Sequence, residues 1–351
     1  MKGNDRRPRS GKGGNGRSFL KTFFIFLGVF LWVPVMMGLV FAYLWWSVPY
    51  RGYAGPSLVV EVPRQTGREV LRILQDRGVL RPGPMGRIYL VLTGHAGDLK
   101  AGEYLFDHPM TAPQVLDKLI RGEVHYHRVT IPEGLRSAEI FAIFQKEGFG
   151  TEEEFREALL DVSGIADLDP EATDLEGYLF PDTYHLSREA TARQIVEQMT
   201  ARHRDLWTPE WRNRAASAGL TPRQVVTLAS LIEKETARPE ERTLISSVFH
   251  NRLRKGMRLQ CDPTIIYALA MRSRYRGFIT RTDLELDSRF NTYLYPGLPP
   301  GPIANPGRES IQAALFPDRS GYLYFVSMNN GRHAFSTNLE DHSRAVQKYQ
   351  R

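Results

Sequence analysis

The longest apolar run of the chain lies near its N-terminus. Residues 22–50 contain no acidic or basic side chain, and the stretch from Phe23 to Trp46 is almost wholly apolar. About 20 residues of α-helix cross the hydrocarbon core of a bilayer, so this run can span it with some tilt. The pattern predicts one transmembrane helix at residues 22–48. A cleaved signal peptide is the alternative, although its apolar core is shorter, about 7–15 residues.

After this run, helical and alternating periodicities follow one another. Apolar residues recur every three or four positions at 84–93 and 112–121, which predicts amphipathic helices, and the segment L-K-A-G-E-Y-L-F between them alternates as a strand does. Roughly 300 residues remain after the span, enough for about two domains of an α+β fold. The remaining patterns predict helices at 152–160, 193–204, 240–255 and 309–315, and a hairpin that pairs 322–328 with 332–337 around Asn330-Gly331.

The most informative helix begins after Thr221. Thr221 is a favourable N-cap, Pro222 suits the first helical position, and Gln224 completes a capping box. The helix is expected to end at Glu235, before Pro239. One face is apolar and is expected to be buried: Val225, Leu228, Ala229 and Ile232.

Two carboxylates, Glu233 and Glu235, stand at the end of this helix. At about 100° per residue they lie about 200° apart, so they cannot both point into one cleft, and one of the two is expected to be solvated. Glu235 lies above Leu228, Leu231 and Ile232, a more apolar surface than the one below Glu233. Loss of water there would raise the pKa of Glu235, as a general acid requires. Spacing alone leaves open the alternative of two ordinary surface carboxylates.

The basic character of the chain belongs to its N-terminal tail. The formal net charge is +7, and seven basic residues against one acidic residue give residues 1–21 a charge of +6, which leaves +1 for the remainder. The high pI is therefore no evidence for nucleic-acid binding by the folded part. The tail is expected to be disordered. Because basic residues precede the span, the positive-inside rule places the tail in the cytoplasm and the later residues outside.

The sequence predicts neither a metal site nor a cofactor. Cys261 is the sole cysteine, so it can form no internal disulfide and is expected to be a small buried thiol. His125 and His127 flank Tyr126, but two histidines without a third ligand are more often surface residues than a metal site.

Five sequence motifs of this chain resemble those of the YceG-like (MltG) family of membrane-anchored endolytic murein transglycosylases. The resemblance extends from about Ser57 to the C-terminus. The motifs are L-A-S-L-I-E-K-E-T, S-V-F-H-N-R-L, M-R-L-Q-C-D-P-T-I-I-Y, N-T-Y-L-Y-P-G-L-P-P-G-P-I-A-N-P-G and F-S-T-N-L.

The resemblance implies both an architecture and a reaction. It implies a LysM-like βααβ module at 57–124, a mixed α+β transglycosylase domain at 125–351, and Glu235, the glutamate directly before threonine in E-K-E-T, as the catalytic residue. The expected lyase cuts the β-1,4 bond between N-acetylmuramic acid and N-acetylglucosamine within glycan strands and leaves 1,6-anhydro ends. Peptidoglycan and the inner membrane are its expected partners, with a role in cell-wall assembly that limits nascent strand length. The shared membrane location makes peptidoglycan synthases reasonable further partners.

Polar residues around the central helix are predicted to contact the glycan. Short amides, hydroxyls and carboxylates suit sugar hydroxyl and acetamido groups, although helix caps and turns use the same side chains. Gln260, Asp262 and Thr264 alternate along a segment expected to be extended. The predicted contacts are Asn251, Gln260, Asp262, Thr264, Asn291, Tyr293, Ser336 and Asn338, with Asn305 and His333 as further candidates.

A further motif, D-L-E-G-Y-L-F-P-D-T-Y, alternates acidic with aromatic residues. Ring faces pack on sugar C–H groups while carboxylates accept hydroxyl hydrogens, so the motif is predicted to line the cleft. A half-buried strand is the alternative. The residues concerned are Glu176, Tyr178, Phe180, Asp182 and Tyr184.

Two other functions are compatible with the same residues. A non-catalytic, membrane-anchored peptidoglycan-binding protein would use the span and the LysM-like module alone. A hydrolytic muramidase would pair Glu235 with a second acid such as Asp262 and would leave reducing ends in place of anhydro ends.

Overall fold

The computed structural model describes residues 15–236 and 238–350, with side chains from residue 19 onward. The chain divides into two compact units, residues 1–125 and 126–351. The first 14 residues of the predicted disordered tail lie outside the described residues. Residues 15–21 are helical, so the disorder predicted for them is wrong.

Helix α1 (Asn15–Ser47) contains the apolar run and begins earlier than the predicted residue 22. An 18-residue stretch within Phe19–Ser47 has a mean hydropathy of 2.5, and by length and composition this part of α1 can cross a membrane. The C-terminal end of α1 differs from the rest in burial, because Trp45 is buried in the apolar core of the first unit.

The first unit also holds a two-stranded antiparallel sheet and three short helices. Their chain order after α1 is β1 (Leu58–Val62), α2 (Gly67–Asp76), α3 (Met85–Leu92), β2 (Gly102–Phe106) and α4 (Ala112–Arg121). Strands β1 and β2 pair with Val60 opposite Tyr104, and both of these residues are buried in the core of the unit. The elements from β1 to β2 therefore follow the βααβ order that the resemblance implies, and the helices predicted at 84–93 and 112–121 are present.

The second unit is mostly helical, with two separate two-stranded antiparallel sheets. Strand β3 pairs with β4, and β5 pairs with β6. Its elements are β3 (His127–Thr130), α5 (Ser137–Lys146), α6 (Glu152–Leu159), β4 (Thr183–Leu186), α7 (Ala192–Asp205), α8 (Pro209–Ser217), α9 (Pro222–Glu235), α10 (Pro239–Arg254), α11 (Asp262–Met271), α12 (Arg308–Leu315), β5 (Tyr324–Ser327), β6 (His333–Ser336) and α13 (Leu339–Tyr349).

Helix α9 is the centre of this unit. It begins with the predicted Thr221 cap and capping box and ends at Glu235, as expected. Every residue from Val225 to Ile232 is buried, not one face alone, because helices α8, α10, α11 and α12 all pack against it. A helix covered on all sides must satisfy its polar side chains internally. Ser230 does so by donating to the Thr227 carbonyl oxygen and accepting from the Ile303 amide.

Three local predictions differ from the structure. Helices α8 and α11 were not predicted, and the segment expected to be extended at Asp262 is the first turn of α11. The C-terminal hairpin is confirmed, but its loop has three residues. Positive φ angles fall at Asn329 and Gly331, while the Met328 amide donates to the Arg332 carbonyl, so Asn330-Gly331 is not a two-residue turn.

Candidate active site

Glu235 is the last residue of helix α9. The chain leaves the helix immediately, because Thr236 is extended at the C-cap and is buried. The Thr236 hydroxyl accepts a hydrogen bond from the Arg238 amide at 3.0 Å, which fixes the turn that follows. Glu235 therefore stands shortly after the buried part of α9, at a helix end whose following turn is hydrogen-bonded.

The carboxyl of Glu235 is largely removed from water. Its Oε1 accepts a hydrogen bond from the Cys261 thiol at 3.0 Å. Burial is the largest cause of a raised pKa for Glu235, and the charge of Asp262 raises it further, while the Cys261 hydrogen bond, His333 and Arg252 lower it. The direction of this shift agrees with the prediction made from the apolar surface below Glu235.

Cys261 is held from both sides by two buried threonines. The Cys261 amide donates to the Thr292 hydroxyl at 3.0 Å, and the Cys261 carbonyl accepts from the Thr264 hydroxyl at 2.7 Å. The two threonine hydroxyls also bond each other at 3.0 Å. Thr264, a predicted substrate contact, is fully buried in this structure. Its hydroxyl holds the Cys261 backbone beside Glu235.

Arg252 of α10 is a functional candidate that the sequence analysis did not single out. Its guanidinium donates to the Leu323 carbonyl at 2.6 Å and to the Leu259 carbonyl at 2.8 Å, and it lies over the Tyr324 ring. Burial lowers the pKa of Arg252. Its charge also acts on Glu235. No sequence spacing signalled this role, since it depends on how α10 packs against α9.

Three predicted substrate contacts lie near Glu235: Asp262, Tyr293 and Gln260. The Tyr293 hydroxyl donates a hydrogen bond to Asp262, and burial together with this bond raises the pKa of Tyr293. Gln260 is exposed, has a φ of 51°, and accepts from the Arg252 guanidinium at 3.4 Å. The structure thus brings these three predicted contacts together near Glu235.

His333 reaches this neighbourhood from strand β6. Its Nδ1 lies 2.7 Å from the Glu241 carboxylate, which also accepts from the His333 amide at 3.0 Å. Phe325 packs edge-on against the His333 ring. His333 is therefore fixed in orientation, and its charge contributes to the electrostatics of Glu235.

Glu233 points to a different partner, as the angular separation predicted. Its carboxylate accepts from the Gly307 amide at 3.0 Å and lies 3.5 Å from the Arg242 guanidinium. The expectation that the second glutamate is solvated is wrong, because only 7% of its side chain is exposed. Glu233 binds the start of helix α12 to the end of α9 and has a structural role.

The sequence model of the YceG-like family matches residues 60–348. The chain belongs to the YceG-like family. The match covers the whole of the second unit except its last three residues, together with most of the first unit after α1.

Relatives and a solved structure agree with this membership. An endolytic murein transglycosylase of Bacillus subtilis (strain 168) is 32% identical over 295 residues, which cover 80% of this chain and 81% of the relative. One from Streptococcus pneumoniae serotype 2 is 28% identical over 337 residues, 86% of this chain but 60% of the relative. The crystal structure of a YceG-like protein from Listeria monocytogenes aligns with a TM-score of 0.55 and 32% identity, covering 83% of this chain and 99% of the other.

Four other predicted substrate contacts of this YceG-like chain have structural bonds of their own. The Asn251 amide donates to the Ser320 and Tyr322 carbonyls, and the Asn291 amide donates to those of Leu284 and Leu286. Both asparagines are buried, at 7% and 0% exposure, so their side chains fix loops. Ser336 is buried within β6, and the exposed Asn338 caps α13 by accepting from the Asp341 amide. No described hydrogen bond links these four to Glu235.

Asn305 and Glu176, which the sequence predicts as sugar contacts, belong to one internal hydrogen-bond network. Asn305 accepts from the Leu179 amide and donates to the Leu135 carbonyl and to Glu176 Oε1. The Ser137 amide and hydroxyl donate to the same Glu176 oxygen at 3.0 Å. Burial raises the pKa of Glu176 to about 7. A cavity of about 190 Å³ lies beside it.

Both tyrosines of the D-L-E-G-Y-L-F-P-D-T-Y segment are buried. Tyr178 is buried and donates to Asp169 at 2.8 Å, and Tyr184 is a buried residue of β4. Gly177 has a φ of 88°, and a Cβ there would lie 2.4 Å from Pro302, so this glycine permits close approach of the proline-rich loop. The strand alternative therefore describes Tyr184, whereas Tyr178 lies in a turn before β4.

Substitution of Asn305 tests how much this hydrogen-bond network contributes to stability. We expect Asn305→Ala to lower the free energy of unfolding by about 1–3 kcal/mol, because it leaves the Leu179 amide without a partner and removes one of the two donors to the Leu135 carbonyl, which keeps the Asn305 backbone amide. Thermal unfolding of the full-length protein in detergent measures the change. Asn213→Ala, at an exposed position of α8, is the control and should change the stability by less than about 0.5 kcal/mol. Equal stability of the two variants would contradict the assignment of Asn305 as a structural anchor.

Proposed function

We propose that this chain is a single-pass, membrane-anchored endolytic lytic transglycosylase of peptidoglycan, with Glu235 as its one acid–base residue. The enzyme class predicted from the sequence, a lyase that cleaves without water, is confirmed by the relatives named endolytic murein transglycosylase. The observation that carries the catalytic assignment is the position of the Glu235 carboxyl at the end of α9, 3.0 Å from the Cys261 thiol, where burial raises its pKa.

The proposed reaction needs one group that first donates and then accepts a proton. Protonated Glu235 gives its proton to the glycosidic oxygen as the bond from that oxygen to C1 of N-acetylmuramic acid breaks. The muramyl 6-hydroxyl oxygen then bonds to C1, and its proton passes to the Glu235 carboxylate. The product carries a 1,6-anhydro ring, the acid form of Glu235 is restored, and no water is consumed. A raised pKa keeps a useful fraction of the acid form outside the cell.

Charges around Glu235 suit both halves of this cycle. Asp262 favours the protonated form before the bond breaks, whereas Arg252 and His333 favour the carboxylate that follows. The Tyr293 hydroxyl holds Asp262 in place, and the exposed Gln260 amide is available to a sugar acetamido or hydroxyl group. We therefore keep Gln260, Asp262 and Tyr293 as proposed substrate-side residues of this site.

Glu176 is the other buried carboxyl whose pKa is raised, and it fits catalysis less well. Its Oε1 accepts hydrogen bonds from Ser137 and Asn305, and its Oε2 lies 3.3 Å from the Ser137 amide. A carboxyl committed to three donors in the core is held as a structural acceptor. Glu235, in contrast, has a single described hydrogen-bond donor.

The first unit supports a proposed location and a proposed role in binding. The apolar helix α1 would anchor the chain in the inner membrane, with the basic N-terminus in the cytoplasm and both later domains outside. The βααβ order from β1 to β2 is compatible with a LysM-like module that holds glycan. An enzyme anchored there would act on newly made strands beside peptidoglycan synthases and would limit strand length.

The products decide between this function and its alternatives. Purified full-length enzyme is incubated with murein sacculi, and the released fragments are analysed by mass spectrometry. We expect fragments that end in anhydro-muramic acid, lighter by one water than hydrolytic products. Reducing ends would favour a muramidase that uses Glu235 with Asp262, a pair whose charges interact. Intact sacculi would favour a non-catalytic binding protein.

A further inference from the structure

Cys261 makes the one described hydrogen bond to the carboxyl of Glu235. Its sulfur lies 3.0 Å from Glu235 Oε1, and 1% of the cysteine is exposed. The Cys261 backbone is bonded to Thr292 and Thr264, so the Cα from which the thiol projects is held by a buried network. These bonds place the sulfur beside the carboxyl of Glu235.

The thiol can act in this contact only as a donor. Burial raises the pKa of Cys261 well above its ordinary value, and the adjacent Glu235 carboxyl raises it further. Cys261 therefore keeps its hydrogen throughout the physiological range. Because sulfur is a weak acceptor, a Glu235 proton on Oε1 would face the S–H group without a good partner. Oε1 therefore accepts the hydrogen bond from Cys261 both when Glu235 is protonated and when it is ionised.

We propose that Cys261 is a positioning residue that keeps the acidic proton of Glu235 on Oε2, the oxygen left free for the glycosidic bond. This inference rests on the proposed function of Glu235. It adds that the S–H donor selects one of two oxygens, so that the acid is presented in one orientation. Directed donation of this kind matters because a misplaced proton donor loses most of its catalytic effect.

The choice of a thiol also affects the acidity of Glu235. An S–H group is a weaker donor than a hydroxyl, so it orients the carboxyl while stabilising its charged form only slightly. A serine at this position would stabilise the carboxylate more and lower the pKa of Glu235, and an alanine would not stabilise it at all. The other charged groups that face Glu235, namely Asp262 of α11, Arg252 of α10 and His333 of β6, remain the same in both variants.

The test compares Cys261→Ser and Cys261→Ala in the full-length enzyme in detergent. Initial rates of anhydro-muropeptide release from sacculi are measured over a range of about pH 4 to 9. We expect the decline of kcat at high pH, where Glu235 loses its proton, to move down by about 0.5–1 pH unit in Cys261→Ser and up by a smaller amount in Cys261→Ala, because the weak S–H donor stabilises the carboxylate only slightly. We also expect Cys261→Ala to lose about tenfold in kcat with little change in KM, and Cys261→Ser to recover most of it.

A space-filling role would give a different result. If Cys261 only fills volume, all three proteins would share one pH profile and the variants would differ only in thermal stability. That outcome overturns the positioning role. It leaves the proposed function intact as long as Glu235→Gln is inactive. Retained activity in Glu235→Gln would instead overturn the proposed function itself.

Discussion

Glu235→Gln is expected to bind glycan normally and to release about 10²–10⁴-fold fewer anhydro ends than the unaltered enzyme. Glutamine has nearly the same shape and can still accept the Cys261 hydrogen bond, so the fold should be retained. It cannot donate an acidic proton to the glycosidic oxygen or accept one from the muramyl 6-hydroxyl. Binding to sacculi and product release, measured on the same samples, separate loss of chemistry from loss of the site.

Two controls make this result specific. Glu197→Gln changes an exposed carboxylate in α7 and should leave the rate unchanged. Glu233→Gln changes the neighbouring glutamate, whose bond to the Gly307 amide is structural, and should affect stability more than rate. If Glu235→Gln kept its activity to within tenfold, another acid would have to replace Glu235 in the mechanism.

Glu176→Gln is expected to remove a pH dependence of stability worth roughly 3 kcal/mol. Burial raises the pKa of Glu176 from 4.5 to about 7, and each pKa unit corresponds to about 1.4 kcal/mol. Since the pKa is higher in the folded protein, the stability due to this group is fully present below about pH 4.5. It is lost as the pH rises through about 7. The unaltered protein should therefore lose stability across this window relative to the glutamine variant.

Thermal unfolding of the full-length protein at several pH values measures this difference. Other carboxyls, including Glu133 and Glu235, also have raised pKa values, so only the difference between the unaltered protein and Glu176→Gln is informative. Glu197→Gln again provides the control, because its carboxylate is exposed. Parallel curves for the unaltered protein and Glu176→Gln would show that Glu176 titrates near its ordinary pKa in the folded state.

Asn251, Asn291 and Asn305, which the sequence predicts as sugar contacts, have their side-chain amides bonded within the protein. Buried amides and sugar-binding amides have the same donors and acceptors, and sequence does not reveal whether water or backbone surrounds them. In each case the structure shows backbone carbonyls as partners. The proline-rich loop that carries two of these residues is largely buried from Gly301 to Gly307. Its irregular backbone needs internal hydrogen-bond partners there.

The sequence by itself determined the elements that depend on local interactions. The cap and length of α9, the apolar run of α1, and the separation of Glu233 from Glu235 all follow from helical periodicity and capping chemistry. These features involve residues only a few positions apart, so their spacing is enough to predict them. The motifs around Glu235 likewise indicated the family, because each of them is a run of consecutive residues that can be compared directly along the chain.

Only the tertiary structure decided what surrounds Glu235. Cys261, Arg252 and His333 come from three other parts of the chain and act on its carboxyl through packing, and no spacing along the chain encodes that convergence. The burial of α9 on all sides depended in the same way on its neighbouring helices. Desolvation and hydrogen bonding are set by neighbours in space, so the chemistry of this glutamate, unlike its position on a helix, could be established only from the folded chain.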